Sequence, residues 1–215
     1  MKGLLRNNFL AAFSNAIVFA GFLLLWGISA VAFPSKAMLI GFGLSGMVGF
    51  SANGIFSLQR ESATRWAKYK MTLPVKRTDV VKSYYISQLA WLLAGMLFSA
   101  AFVGLSWLFH GCPFDLYTDV LLVFGLGISM SLFLCAIFFP VFYWGGEDRG
   151  EALLAIALLC AIALDAGLVA LLNLFLTKPG VVTALIGTAA MTACSALAFA
   201  LSYPLTAYIY SRKEY

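Results

Sequence analysis

Gly145-x-x-x-x-Gly150 is the closest this sequence comes to a glycine-rich loop that cradles phosphate. Such a loop needs a Lys directly after the second glycine, to reach the phosphate oxygens. Glu151 stands there instead, and its carboxylate would repel a nucleotide. The segment therefore reads as a turn. His110 and Cys112 lie close together, but two potential ligands without a third make a poor metal site. Cys135, Cys160 and Cys194 fall inside apolar runs with no metal or redox spacing. No Ser/His/Asp set and no carboxylate pair offers hydrolytic or covalent catalysis. One carboxyl stands apart. Asp165 interrupts the run ALLCAIALDAGLVALLN, with Asn173 eight residues further on roughly the same helical face. A carboxyl deep in lipid costs several kcal/mol unless it is paired, protonated or facing water. Two readings stay open: a residue on a substrate path, or a polar contact between helices. Ser129, Ser131, Thr192 and Ser195 sit at matching depth as partners.

The element that holds Asp165 belongs to a membrane protein. Of the 215 residues, 62% are hydrophobic and only 11% charged, more apolar surface than a soluble fold of this size can hide. The apolar runs are continuous rather than alternating, which excludes a β-barrel. The expected fold is all-α, a single transmembrane domain over residues 1–215 with six spans near 14–33, 37–57, 86–109, 118–144, 152–176 and 181–207. MKGLLRNNF leads into a full-length span with no small-residue cleavage site, unlike a signal peptide. Met1, Leu5, Phe9 and Phe13 recur at helical spacing, which suits a short N-terminal helix in the headgroup layer; a positively charged flank of the first span is the alternative.

Charge orients the bundle. Twelve of the 14 Lys and Arg fall on one side if both termini are cytoplasmic, and Lys36 and Lys178 on the other. The formal charge of +5 follows from this membrane-edge distribution and does not imply nucleic-acid binding. Pro34-Ser35-Lys36 predicts a tight hairpin of the first two spans, and Thr177-Lys178-Pro179-Gly180 one of the last two. Small residues four apart mark close helix contacts, within the chain or between two copies: Ser45 and Gly49; Gly125 and Ser129; Ala190, Cys194, Ala198 and Ser202.

Half of all the Lys and Arg lie between Leu58 and Tyr85: Arg60, Arg65, Lys68, Lys70, Lys76, Arg77 and Lys82. A helix over 60–73 places Ser62, Trp66, Tyr69 and Leu73 on one face, with Glu61, Arg65 and Lys68 on another. Glu61 and Arg65 are spaced to pair. Pro74 stops that helix near Leu73. Thr78 reads as the cap of the next helix, with Asp79 in its first turn. The segment suits either an interfacial helix on anionic lipid or a docking helix for a soluble partner.

Trp66-x-x-Tyr69-x-x-Thr72-Leu73-Pro74-Val75-x-Arg77, followed by Asp79-Val80-Val81-x-Ser83-x-Tyr85-Ile86, resembles the first intracellular loop of ABC transporter permeases of the type-2 export class. More narrowly, it resembles the small six-span bacterial branch that includes bacitracin-type and phenol-soluble-modulin exporter permeases. Phe139-Pro140-x-x-Tyr143-x-Gly145, then Glu147 and Arg149, resembles that branch's second intracellular loop. Tyr84, where a basic residue is the pattern, and the acidic 145–151 loop depart from it. The resemblance implies a permease of an ABC exporter in a bacterial plasma membrane, with both termini cytoplasmic and no catalysis of its own. Glu61, Arg65, Trp66 and Tyr69 would dock on an ATPase subunit, and Thr72-Leu73-Pro74 would pass force to the third span. ATP and Mg would be bound by that partner, in two copies beside a pair of identical or related permease chains. An amphipathic substrate (a peptide, a lipid-like molecule or a drug) would move outward. Two readings stand beside this one: a membrane scaffold or sensor-complex subunit, and a secondary transporter needing no ATPase.

Overall fold

A computed structural model describes residues 2–33, 35–62, 76–111, 114, 117–145, 149–175 and 181–212. Every element among them is a helix: α1 Lys2–Ala32, α2 Lys36–Ser62, α3 Arg77–His110, α4 Tyr117–Gly145, α5 Gly150–Phe175 and α6 Val181–Arg212. All six are long and apolar enough to cross a membrane. A helix rises 1.5 Å per residue, so even the 26 residues of α5 reach about 39 Å, against a hydrocarbon core of about 30 Å. The ends must therefore project into the headgroup layers. Trp144 and Tyr208 are exposed near the end that carries both chain ends, and Trp107 near the other. Such amphipathic rings favour the two membrane–water boundaries. Between them the outward faces are apolar, with Leu97, Leu108, Leu174 and Leu201 each more than 70% exposed, which suits lipid and not water.

Two packed groups make up the bundle. Phe42, Phe50, Trp91, Val103 and Leu23 join α1, α2 and α3. Phe138, Phe139, Phe142, Tyr143, Tyr85, Phe199 and Tyr210 join α4 and α6 to the beginning of α3. At Gly95, α2 and α3 approach each other closely. A Cβ added at Gly95 would stand 2.9 Å from the Gly46 carbonyl oxygen and 3.1 Å from Met47 Cα, so only a bare backbone fits there.

The small-residue pattern is used helix by helix. A side chain on Gly49 would meet Phe19 of α1, and one on Gly125 would meet Thr188 of α6. On α6 the buried face is Met191, Ser195, Phe199, Ser202, Thr206 and Tyr210, whereas Cys194 is exposed. The expected hairpin of α5 and α6 is not a packed pair. α6 lies chiefly against α4 and secondarily against α3, and α5 also packs on α4, barely touching α6. A short connection fixes two helix ends, but the apolar faces choose the neighbours.

Three local expectations change. Residues 2–9 start α1 without a break instead of forming a separate helix, and the buried face of this first stretch of α1 is Asn8, Ala12 and Ala16, not Phe9 and Phe13. Small side chains there let α1 lie close, while Phe9 stacks on Trp91 from the side at 4.9 Å. α3 starts at Arg77, nine residues before the expected span, because Val80, Val81, Ser83, Tyr84 and Tyr85 are buried against the bundle. Its cap position is therefore Lys76, whose carbonyl accepts the Asp79 N–H at 2.9 Å, and Thr78 falls inside the first turn. At the other end Gly111, at φ 77°, turns the chain out of the helix while its N–H still bonds the Trp107 carbonyl.

Candidate functional site

The helix ends that carry Arg60, Arg77 and Arg212 gather at one end of the bundle. The Arg60 guanidinium, at the end of α2, donates to Asn15 Oδ1 of α1 at 3.1 Å. That of Arg77 donates to the Ser211 carbonyl of α6 at 2.9 Å, tying the first turn of α3 to the last turn of α6. Arg212 stacks over Tyr208, 4.5 Å from the ring centre. Gly150, opening α5, abuts Gln59 of α2, 3.1 Å from where a Cβ would stand. Gly150 thus lies beside the end of α2, from which the long basic segment continues. Arg149 is exposed there, after Gly145 has closed α4. Glu61 belongs to the last turn of α2. Arg65, Trp66, Tyr69, Thr72, Leu73, Pro74 and Glu147 lie outside the described residues.

Beneath this end the core is aromatic and hydroxyl-rich. The Tyr85 hydroxyl lies 2.8 Å from Ser202 Oγ and 2.9 Å from Thr206 Oγ1, both on α6. The Tyr85 ring packs against Phe139, Phe199 and Tyr203. Asn8 of α1 donates to Ser83 of α3 at 3.0 Å, and Gln88 donates to the Ser51 carbonyl of α2 at 3.0 Å. These links were not singled out from the sequence. The signal available was faint: Ser195, Ser202 and Thr206 recur at helical spacing, as a shared buried face requires.

The second region lies toward the opposite end. Ser129 of α4 donates its hydroxyl to Asp165 Oδ1 of α5. The other three hydroxyls at that depth bond backbone carbonyls of their own helices: Ser131 to Gly127, Thr192 to Thr188, Ser195 to Thr192. Asp165 is only 6% exposed, and its Oδ2 has no hydrogen-bond partner. It lines a groove of about 480 Å³ with Leu44, Leu126, Met130, Val169 and Asn173. Asp165 and Asn173 are thus brought to one groove, about 12 Å apart along the helix. Among the described residues no group of three His, Cys, Asp or Glu is placed to hold a metal.

The family model described as ABC-2 family transporter protein matches residues 3–211. The chain belongs to that family. This membership makes it a multi-pass membrane transport component, not itself catalytic, of a family that generally works with an ABC ATPase. No curated protein and no solved structure matches it. In an ABC-2 family transporter protein, the charged end and the groove stand as two separate candidate sites, one for a protein partner and one inside the membrane.

Proposed function

We propose that this ABC-2 family transporter protein is the permease subunit of a bacterial ABC exporter, carrying an amphipathic substrate outward across the plasma membrane. Both termini and the two charged turns face the cytoplasm in this reading, following the excess of Lys and Arg. The observation that carries it is the seating of Gly150, at the start of α5, against the end of α2, at the end of the bundle where Arg77 ties the start of α3 to α6. An ATPase seated there would grip two loops at once. Glu61, Arg65, Trp66 and Tyr69 form the docking surface, and Thr72-Leu73-Pro74 passes the movement to α3. Arg77 then hands it to α6 through Ser211. Two permease chains and two ATPase subunits complete the transporter, since six helices are few for a whole pathway. ATP and Mg sit on the ATPase. Nucleotide binding drives alternating access only if the ATPase contacts the inward and outward states differently.

Affinity purification in mild detergent, with mass spectrometry of what comes along, tests the reading. A protein with a Walker A motif is expected to co-purify. Its reproducible absence, with this chain folded, overturns the proposal. The combined substitution Trp66→Ala and Glu61→Lys is expected to lower ATPase recovery at least tenfold while membrane insertion stays unchanged. Undiminished recovery would move the docking surface elsewhere.

A further inference from the structure

The groove beside Asp165 poses a question of charge. Its carboxyl has one hydrogen-bonded oxygen and one without a partner, and the walls contain no basic residue. A buried carboxyl stays ionised only beside a counter-charge. Among the described residues none lies at this depth. Every Lys and Arg lies in a connecting segment or near a helix end, so a second copy of the chain has none to offer either. A bare inorganic cation is poorly served, because such ions require several oxygen ligands, and Asn173 stands about 12 Å away from Asp165 along the helix. Leu44, Leu126, Met130 and Val169 instead fit a ligand that brings its own apolar body.

We infer that this groove binds an amphipathic organic cation, with its ammonium group against Asp165 and its apolar body extended toward Asn173. The volume, about 480 Å³, lies within the usual range for small-molecule sites. Asp165 is ten residues from the end of α5, about 15 Å of helix, so the ammonium must sit well below the headgroup layer. The site rests on the transport reading only in taking this cation to be cargo. An exported amine and an aminophospholipid share the same chemistry here.

The test uses the full chain in phosphatidylglycerol nanodiscs and two fluorescent probes. One is dansylcadaverine, which carries a primary ammonium; the other is its neutral N-acetyl derivative. With binding read against protein-free discs, the ammonium probe should bind at least tenfold more tightly. Asp165→Asn, which keeps an acceptor for Ser129, should bring the two probes within twofold of each other. Asp165→Glu should retain the preference. Ala170→Trp adds bulk to the groove wall while leaving Asp165 in the chain, and should weaken the ammonium probe at least tenfold. Equal binding of both probes by the unaltered chain overturns the proposal, as does a preference that survives in Asp165→Asn or undiminished binding in Ala170→Trp. Adding phosphatidylethanolamine to the discs separates the sources: a tenfold loss of probe affinity assigns the site to a lipid amine, unchanged affinity to an exported one, and both uphold an ammonium site. No ATPase is required, so failure here leaves the permease reading standing, and a missing ATPase leaves this result standing.

Discussion

Replacing Gly95 by Leu should separate α2 from α3 and destabilise the protein by about 3 kcal/mol, the upper range for forcing volume into a packed interior. The reason is the identity of the atoms it would meet. A Cβ at Gly95 would stand 2.9 Å from the Gly46 carbonyl oxygen, 3.0 Å from Phe50 Cβ and 3.1 Å from Met47 Cα. Two of these are backbone atoms, which cannot swing aside as the far end of a side chain can. Relief would require moving a whole helix, and α2 is also held by Phe42 and Phe50 in the core it shares with α1 and α3. Gly104, on the same helix, supplies the control. Nothing lies within 4 Å of its added Cβ, so Gly104→Ala should leave stability unchanged or slightly raised. Thermal unfolding of the purified protein in detergent, followed by loss of monodisperse material, checks both. A Gly95→Leu protein as stable as the parent would mean that α2 and α3 do not meet as described.

Tyr85→Ala should cost about 3–5 kcal/mol, as truncation of a large buried aromatic does. Tyr85→Phe should cost only about 0.6 kcal/mol, the average for a side-chain hydrogen bond between membrane helices. The gap between the two separates packing from hydrogen bonding. The ring touches Phe139 of α4 and both Phe199 and Tyr203 of α6, at centroid distances of 4.7, 4.9 and 5.4 Å. Its loss would open a cavity where three helices meet. The hydroxyl matters less because its partners keep other bonds: Ser202 still donates to the Phe199 carbonyl, and Thr206 to that of Ser202. Unfolding midpoints of the two variants measure the difference. If Tyr85→Phe were as damaging as Tyr85→Ala, the hydroxyl bonds and not the ring would hold α3 to α6.

The number of helices, their approximate places and their all-α character were readable because lipid imposes one simple demand, about 20 consecutive apolar residues. Neighbour choice was not, because every span is apolar and none states which face meets which helix. The loop Thr177–Gly180 suggested that α5 and α6 pair, yet Ser202, Thr206 and Phe199 turn α6 toward Tyr85 and α4. Asp165 was legible as a polar anomaly in an apolar run, and Ser129 as one of four partners at its depth. Choosing among the four required helix rotations that spacing alone does not fix. Asn8 gave no warning at all: it sits in a flank that reads as positively charged and interfacial, although it is fully buried against Ser83.

The preference of α6 for α3 and α4 over its sequence neighbour has a consequence for biogenesis. Among the described residues the Tyr85 hydroxyl finds its partners on α6, which emerges from the ribosome after the other five helices. At 5–20 residues per second, synthesis of its 32 residues takes roughly 2–6 s. During that interval α3 and α4 present an unfilled aromatic face to the bilayer, or to whatever insertion factor shelters it. α6, the latest of these three to arrive, is thus the keystone of the group it forms with α3 and α4. A nascent chain stalled before α6 would expose the surface by which quality-control machinery could recognise it as unfinished.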